Sequence, residues 1–372
     1  MYNDEKMLLA FTASVIIAVF STDHVIGFSH RKGIGDVADE ERKIHKNSVP
    51  NLGGVCVFIA SMFAYFAFSD YTLTLRPDKI FSISILLFFV GLKDDIESIK
   101  PWKRFFYEFS CAFFIIYATD VRILNLYGIF FIGELPYWAS FGLTSIFIVA
   151  CINAYNMIDG IDGLLGSLSL LGTLFFGVIF YNAGEWLWAL LCVSVAGSLI
   201  GFLVFNWQPA KIFMGNGGSM FIGTILACIA LRIMQLDKFD SLFLTITMPF
   251  TIALSVIAIP IFDALFVVII RLLHKHPIFK ADNRHTHHRL LDLGLQHWQA
   301  VLILVFFNIL IIAFAYFIQR TGALKSILFT LSFCTFLKIL LERSIYWGGQ
   351  NWIYFATPYA PALAVESPRM QI

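Results

Sequence analysis

Apolar runs of roughly 16–25 residues recur along the whole sequence, and a helix needs about that length to cross about 30 Å of hydrocarbon. Hydrophobic residues make up 59% of the chain and charged residues 14%, whereas a soluble protein has about 25% charged residues. The mean hydropathy is +0.78. The sequence therefore predicts an all-α, polytopic membrane protein.

Eleven apolar runs can be counted, and we expect each to form one transmembrane helix. Their centres lie near residues 16, 60, 86, 112, 146, 172, 195, 225, 257, 308 and 332. Because a helical bundle of this size is one unit, we predict a single integral-membrane domain over 1–372, with no assignment for the tail at 343–372. The segment 121–136 alternates weakly in polarity and favours a short hairpin or an interfacial segment.

The charges of the loops predict the orientation of the chain. Lysine and arginine are concentrated in three loops, at 31–49, 93–104 and 271–297. Cytoplasmic loops carry an excess of these residues, so we expect the N-terminus outside and the C-terminus inside. The run that begins at Met7 lacks a basic leader and a cleavage site, and we interpret it as the first span. The net charge of +1 gives no reason to expect a nucleic-acid partner.

The cysteines point away from disulfide and metal chemistry. All six fall in or beside apolar runs, and none forms a CxxC pair. We therefore expect them to be small buried residues rather than disulfides or metal ligands.

The stretch NAYNMIDGIDGL, at 153–164, lies between two apolar runs. Polar side chains occupy every third position there: Asn153, Asn156, Asp159 and Asp162. On a helix this spacing places them along one slowly drifting face. Acidic groups at a membrane boundary are costly unless they are paired or hydrated, and they usually mark function. We therefore predict a functional site in this stretch.

Four more polar clusters interrupt the apolar pattern, all on the side predicted to be cytoplasmic. They are DEERKIHKNSVPNLGG (39–54), GLKDDIES (91–98), QPAKIFMGNGGSMFIG (208–223) and ADNRHTHHRLLDLG (281–294). Each alone has a simpler interpretation: a solvated charged flank, carboxylates at a helix end, glycines for helix packing, or a surface turn. Zinc fits poorly because no cysteine or carboxylate pair at ligand spacing completes a site. Their convergence on one side favours a shared site.

The residue types in these clusters suit phosphoryl chemistry. Carboxylates offer oxygen ligands to Mg²⁺, which bridges protein and phosphate oxygens. Histidine and arginine suit a diphosphate, and glycines at a helix start let backbone N–H groups approach an anion. An acidic metal site beside a basic clamp indicates phosphoryl transfer to an acceptor in the membrane.

Taken in order, these motifs resemble those of the polyprenyl-phosphate N-acetylhexosamine-1-phosphate transferases of glycosyltransferase family 4, over about residues 30–320. RHTHHRLLDLG resembles the bacterial undecaprenyl-phosphate GlcNAc-1-phosphate transferases, which start O-antigen of lipopolysaccharide, enterobacterial common antigen or cell-wall linkage units. The resemblance implies transfer of N-acetylhexosamine-1-phosphate from a UDP-N-acetylhexosamine to undecaprenyl phosphate, with release of UMP. It also implies Mg²⁺ or Mn²⁺ as cofactor and a place in the bacterial inner membrane, and it admits a homodimer.

The resemblance assigns roles to individual residues. The implied catalytic residues are Asp94, Asp95, Asp159 and Asp162. The implied metal ligands are Asp159, Asp162 and Asn216. The implied substrate-binding residues are Lys46, Asn153, Asn156, Phe213, His285, His287, His288 and Arg289. Within this last set, the aromatic ring would stack on uracil and the histidines would contact diphosphate and sugar. Asp263 and Arg271 also match family positions.

Three residues depart from the family pattern. Arg104 and Glu108 stand where the family usually has Lys and Gln, and Asn216 stands where it usually has the Asp that is a principal Mg²⁺ ligand. Because of Asn216, one alternative function stays open: the protein could be a catalytically impaired relative that binds or transports lipid phosphate or nucleotide sugar. A second alternative is a muramyl-pentapeptide-phosphate transferase. Direct attack by the lipid phosphate and a covalent aspartyl intermediate are both open.

Overall fold

A computed structural model describes residues 3–32, 49–69, 77–241, 244–274 and 285–351 of the protein. These residues are mostly helical. The first eight helices are α1 (Asn3–Lys32), α2 (Gly53–Phe68), α3 (Asp78–Ile96), α4 (Pro101–Thr119), α5 (Tyr137–Ile158), α6 (Leu164–Asn182), α7 (Trp186–Asn206) and α8 (Gly215–Met234). They are followed by α9 (Pro249–Val256), α10 (Ala258–Leu273), α11 (Thr286–Asp292), α12 (His297–Ile318) and α13 (Ala323–Asn351).

Helix α8 is the centre of the bundle. Its sequence is apolar or small on every side, which is the pattern of a helix surrounded by other helices, and 94% of its most apolar stretch is buried. Helices α2, α3, α5, α6 and α9 pack around it, while α1 lies against α2 and α7. All six cysteines are buried and free of disulfides, which confirms that they are small buried residues.

The long apolar helices confirm a polytopic membrane protein. Six described helices are long and apolar enough to cross a membrane, and α9 with α10 makes a seventh span if this pair, bent by 72°, counts as one. Each of the eleven predicted centres falls within a helix or at the break between α9 and α10. Because α2 has only 16 residues and α3 and α4 carry several charges, eleven crossings stay a prediction.

Two short hairpins follow the C-terminal ends of α4 and α8. In the first, over 121–136, the Leu126 N–H donates to the Gly133 carbonyl at 2.9 Å, which confirms the predicted hairpin. The second pairs β1 (Phe239–Asp240) with β2 (Thr245–Ile246) in antiparallel register. The polar motifs lie at the other ends of α4 and α8, so the hairpins and the motifs occupy opposite ends of these helices.

Glycines bring the start of α8 into direct contact with α2 and α3. A Cβ atom at Gly54 would lie 2.3 Å from the Gly218 Cα, and one at Gly91 would lie 2.6 Å from the Gly217 Cα. No larger residue fits at these crossings without moving a backbone. The glycines of PNLGG and GNGGS therefore serve close packing, and this packing sets the end of α3 beside the start of α8.

Candidate active site

A cavity of about 340 Å³ opens where α3 and α5 end and where α8 and α12 begin. Its walls are made by Asn51, Asp95, Asn156, Asp159, Gly160, Ile161, Asp162, Asn206, Phe213, Gly215, Asn216 and His297. These residues come from widely separated parts of the chain. The structure thus brings together residues of four of the predicted motifs, which are the PNLGG end of the stretch 39–54, GLKDD, NAYNMIDGIDGL and FMGNGGS.

Asp95 joins the end of α3 to the start of α8. Its Oδ1 accepts the Asn216 N–H at 2.9 Å and its Oδ2 accepts the Gly217 N–H at 3.2 Å. The first N–H groups of a helix have no partner within it, and a carboxylate at that end is stabilised by the helix dipole. Asp95 therefore holds the glycine-rich motif at the cavity wall.

Asp94 has different partners and is not among the described residues that line the cavity. Its Oδ1 accepts the Ile99 N–H at 2.6 Å, and its Oδ2 lies 3.7 Å from the Arg104 guanidinium. Adjacent side chains on a helix point about 100° apart, so the two carboxylates of α3 face different surroundings.

Arg104 and Glu108, the two residues of α4 that depart from the family pattern, form an ion pair with each other. The Arg104 Nε donates to Glu108 at 3.0 Å, and the Asn153 amide donates to the other oxygen of Glu108 at 2.5 Å. Glu108 is fully buried, and a buried carboxylate requires such partners. Asn153, a predicted substrate-binding residue, is therefore part of the network behind Asp94 and does not line the cavity.

Asn156 and Asn216 face each other across the cavity wall. The Asn156 amide donates to the Asn216 Oδ1 at 2.6 Å and to the Ser219 Oγ at 2.8 Å. An amide oxygen has two lone pairs, so the oxygen of Asn216 retains one for a ligand.

Asp159 is the cavity carboxylate with the fewest partners. It follows the last residue of α5, and in the part of the chain that the structure describes its carboxylate has no hydrogen bond or ion pair. Burial, and to a smaller extent the nearby Asp95 carboxylate, raise the pKa of Asp159 to about 7. A nearly neutral carboxyl group with open oxygens is suited to bind a cation or a proton.

Asp162 is held by backbone and by a histidine. Its Oδ2 accepts the Ala210 N–H at 3.2 Å, and its backbone N–H donates to the His297 Nδ1 at 3.3 Å, which also places that nitrogen 3.3 Å from Oδ2. His297 is the first residue of α12, where a capping box between Gln296 and Gln299 fixes the helix start. The start of α12 thus completes the cavity opposite the turn between α5 and α6.

Phe213 is set by the segment before α2. Its N–H donates to the Pro50 carbonyl and its carbonyl accepts the Gly53 N–H, both at 2.9 Å. The two motifs PNLGG and FMGNGGS therefore pair by backbone, and the half-buried ring at 213 lies in the cavity wall.

The histidine segment is attached to the bundle through one buried aspartate. Asp263 in α10 accepts His285 Nδ1 at 2.8 Å, the Thr286 N–H at 2.9 Å, the Thr286 hydroxyl and the Lys338 ammonium at 2.9 Å. We call Asp263, His285, Thr286 and Lys338 the anchor cluster. It fixes the start of α11 against α10 and α13. Arg271, its predicted companion, is also buried in α10.

His287 connects this segment to the cavity. A Cβ atom at Gly160 would lie 2.3 Å from the His287 Nε2, so only glycine admits the imidazole there. Burial, and next the neighbouring His288, lower the pKa of His287 to about 3. Neither ring nitrogen has a hydrogen-bond partner in the described residues, so His287 is a neutral imidazole beside the cavity turn.

The other predicted basic residues differ in position. The His288 ring lies 4.2 Å from that of His287, whereas Arg289 is 43% exposed and 3.8 Å from Asp292. Lys46 lies outside the described residues. The sequence interpretation missed His297, which follows Gln296 at a helix start, and Lys338, which stands alone in an apolar run; neither matches a motif.

The donor atoms of the cavity suit Mg²⁺ shared with a substrate. In the described residues, no three His, Cys, Asp or Glu side chains form a group that could hold a metal by themselves. Mg²⁺ is commonly held by one or two carboxylates together with waters and substrate phosphates. The oxygens of Asp159, Asp162 and Asn216 fit that arrangement, and they do not form a closed protein cage.

Comparison with known proteins decides the family. The profile of "Glycosyl transferase family 4" matches residues 79–234. A probable undecaprenyl-phosphate N-acetylglucosaminyl 1-phosphate transferase of Bacillus subtilis is 30% identical over 91% of this chain and 93% of its own length. The chain belongs to glycosyl transferase family 4.

Other curated proteins are similarly related to this chain. The decaprenyl-phosphate N-acetylglucosaminephosphotransferase of Mycobacterium tuberculosis is 30% identical over 87% of this chain and 83% of its own length. The phospho-N-acetylmuramoyl-pentapeptide-transferase of Bacillus subtilis is 28% identical over 80% of this chain and 93% of its own length. The family 4 profile covers α3 to α8, and thus most of the cavity, whereas the anchor cluster lies beyond it.

Proposed function

We propose that the protein transfers N-acetylglucosamine-1-phosphate from UDP-N-acetylglucosamine to undecaprenyl phosphate and releases UMP. The observation that carries this proposal is the cavity in which Asp95, Asp159, Asp162 and Asn216 converge at one end of a membrane bundle. The names of two relatives, those of Bacillus subtilis and Mycobacterium tuberculosis described above, support a prenyl-phosphate acceptor and this sugar. The reaction would be the first membrane step of a surface polysaccharide, such as lipopolysaccharide O-antigen or a cell-wall polymer.

The reaction forms a bond between an oxygen of the lipid phosphate and the β-phosphorus of the UDP-sugar. The bond from that phosphorus to the bridging oxygen breaks, and UMP leaves with the oxygen. A phosphate monoester has a second pKa of about 6, so the lipid phosphate is mostly a dianion at neutral pH and needs alignment and charge screening more than deprotonation. Both oxygens of Asp95 accept helix N–H groups, which favours direct attack over an intermediate on this carboxylate.

Asp159, Asp162 and Asn216 would hold Mg²⁺ or Mn²⁺. When bound, the cation would neutralise charge on the diphosphate as UMP leaves. The protein's own contributions are the neutral His287 beside the cavity turn, the Phe213 ring as a surface for uracil, and the fixed backbone that shapes the walls.

The test is a transfer assay with purified protein in lipid nanodiscs, undecaprenyl phosphate and Mg²⁺. UMP release and labelled lipid are measured with UDP-N-acetylglucosamine, UDP-N-acetylgalactosamine and UDP-N-acetylmuramoyl-pentapeptide as donors. We expect the first donor to be preferred. Turnover only with the third would identify the muramyl-pentapeptide alternative, and no turnover with any donor would favour the inactive relative.

We further propose eleven spans, with the N-terminus outside and the cavity facing the cytoplasm of a bacterial inner membrane. The alternation of basic loops supports this orientation. Reporter fusions near residues 35, 97 and 285 should report cytoplasm, and one near 128 the opposite side. Opposite faces for 97 and 285 would contradict a single site. Sizing of the nanodisc complex tests the homodimer.

A further inference from the structure

We infer that Lys338, on the last described helix, is a positioning residue of the active site, acting through Asp263 and Thr286 on the histidine segment. This role deepens the proposed function and rests on it. The residue lies beyond all the motifs and outside the segment matched by the family profile.

Lys338 faces inward on a helix whose neighbouring apolar residues face outward. It is 5% exposed, whereas Phe336, Ile339 and Leu340 beside it are each at least 45% exposed. An ionisable side chain turned into a membrane bundle is costly unless it is paired, and such residues usually serve function. The inward orientation of Lys338 among outward-facing apolar residues therefore indicates that its ammonium group has a specific partner.

The contacts of Lys338 are specific. Its Nζ donates to the Asp263 Oδ1 at 2.9 Å and to the Thr286 Oγ1 at 3.1 Å, and it lies 4.3 Å from the centre of the Phe266 ring. Asp263 is 4% exposed, so the pair is shielded from water. The lysine thus ties two oxygens from different helices to α13.

Those two oxygens fix the start of α11. Thr286 is the first residue of this helix, and His285 before it binds the other oxygen of Asp263. One residue further along, His287 packs against Gly160 in the cavity wall. A shift of α11 therefore moves His287 away from the cavity, and a displacement of about 1 Å in an active site can cost roughly a hundred-fold in rate.

The test compares Lys338→Met with Lys325→Met, since Lys325 is an exposed lysine on the same helix. Because the family resemblance places His287 against the diphosphate and sugar, loss of that contact should raise KM for the UDP-sugar by about ten-fold in Lys338→Met, with KM for undecaprenyl phosphate unchanged. A merely structural residue would lower the active fraction, and so kcat, without moving KM. Wild-type values of KM for Lys338→Met would overturn the inference, and Lys325→Met should match wild type throughout.

A second readout does not depend on turnover. Hydrogen exchange of the α11 amides should be faster in Lys338→Met than in wild type and unchanged in Lys325→Met. Unchanged exchange in Lys338→Met would show that the lysine does not hold α11. If wild type has no transferase activity, the proposed function fails while exchange still decides whether Lys338 anchors this helix.

Lys338→Met leaves the buried Asp263 with one partner fewer and can therefore impair folding. In that case Thr286→Val replaces it as the test variant. Valine keeps both charges and the shape but removes the hydroxyl that accepts from Lys338. It should raise KM for the UDP-sugar in the same direction and speed exchange in α11. Wild-type behaviour in both measurements would overturn the inference.

Discussion

The cavity turn and the anchor cluster each contain an aspartate beside a helix end, but the two carboxylates have opposite surroundings. Asp263 is buried and accepts four hydrogen bonds from three residues. Asp159 lines a cavity and, among the described residues, has no hydrogen-bond partner. A saturated carboxylate fixes structure, and an unsaturated one at a cavity is available to a ligand. The difference separates the part of the molecule that binds from the part that holds it in place.

The largest expected effect is at Asp159. We predict that Asp159→Asn lowers the rate of UMP release by about a thousand-fold, because it removes the carboxyl group whose open oxygens would bring negative charge to a bound cation. Asp292→Asn is the matched control, since Asp292 is 60% exposed on α11, and it should retain near wild-type turnover. Comparable rates for the two variants would mean that Asp159 is only a helix end.

At Asp263 the expected effect is on folding as well as on rate. Asp263→Leu leaves the buried Lys338 ammonium without a counter-charge, and breaking a buried pair in this way typically costs about 3–5 kcal/mol. Thermal unfolding in nanodiscs should show a clear fall in Tm, together with reduced transfer. A variant as stable as wild type would mean that the anchor cluster does not hold α11 to the bundle.

His297 should have a smaller effect. We predict that His297→Ala lowers kcat/KM for the UDP-sugar by about ten-fold, because Asp162 loses a hydrogen-bonded neighbour at the cavity wall. His24→Ala, on an exposed histidine of α1, is the control. Equal kcat/KM values for His297→Ala and His24→Ala would show that the start of α12 does not contribute to the site.

Position 216 tests the departure from the family pattern. An amide oxygen ligates Mg²⁺ without bringing charge, so Asn216→Asp should lower the Mg²⁺ concentration for half-maximal rate by several-fold. Asn156 can donate to the new carboxylate as it does to the amide. Metal titrations of both forms decide this, and an unchanged requirement would remove position 216 from the metal site.

The smallest effect concerns pH and stability in metal-free protein. The pKa of Asp159 is about 7 in the folded protein against 3.8 for the free group, so the folded state holds the proton more tightly. Its stabilising contribution is fully present below about pH 3.8 and is lost progressively as pH rises from there to about 7. The asparagine in Asp159→Asn does not titrate, so this pH dependence of stability is absent from the variant.

Asp159→Asn should therefore raise Tm over wild type by a few degrees at pH 8, by clearly less at pH 5 and hardly at all at pH 4. His287, with its lowered pKa, changes stability in the opposite direction, but equally in both proteins. A Tm difference that does not change with pH would contradict the assigned pKa.

Much of this architecture was predictable from patterns along the chain. Length and apolarity predicted the helices, and the spacing of NAYNMIDGIDGL with its costly acidic groups predicted a site. Two things were not predictable. Asn153 and Asp94 look like site residues, yet their partners Glu108 and Arg104 hold them outside the cavity lining, and partner choice depends on tertiary contacts. Lys338 and His297 are single residues, and their contacts with the site are made by residues that are distant in sequence.

The most direct test is a structure of the protein with UDP-N-acetylglucosamine and Mg²⁺ in lipid. We predict the diphosphate in the cavity between Asp159 and Asn216, the uracil on Phe213, and unchanged contacts around Asp263. A nucleotide bound outside this cavity, with Asp159 free of ligand, would contradict it.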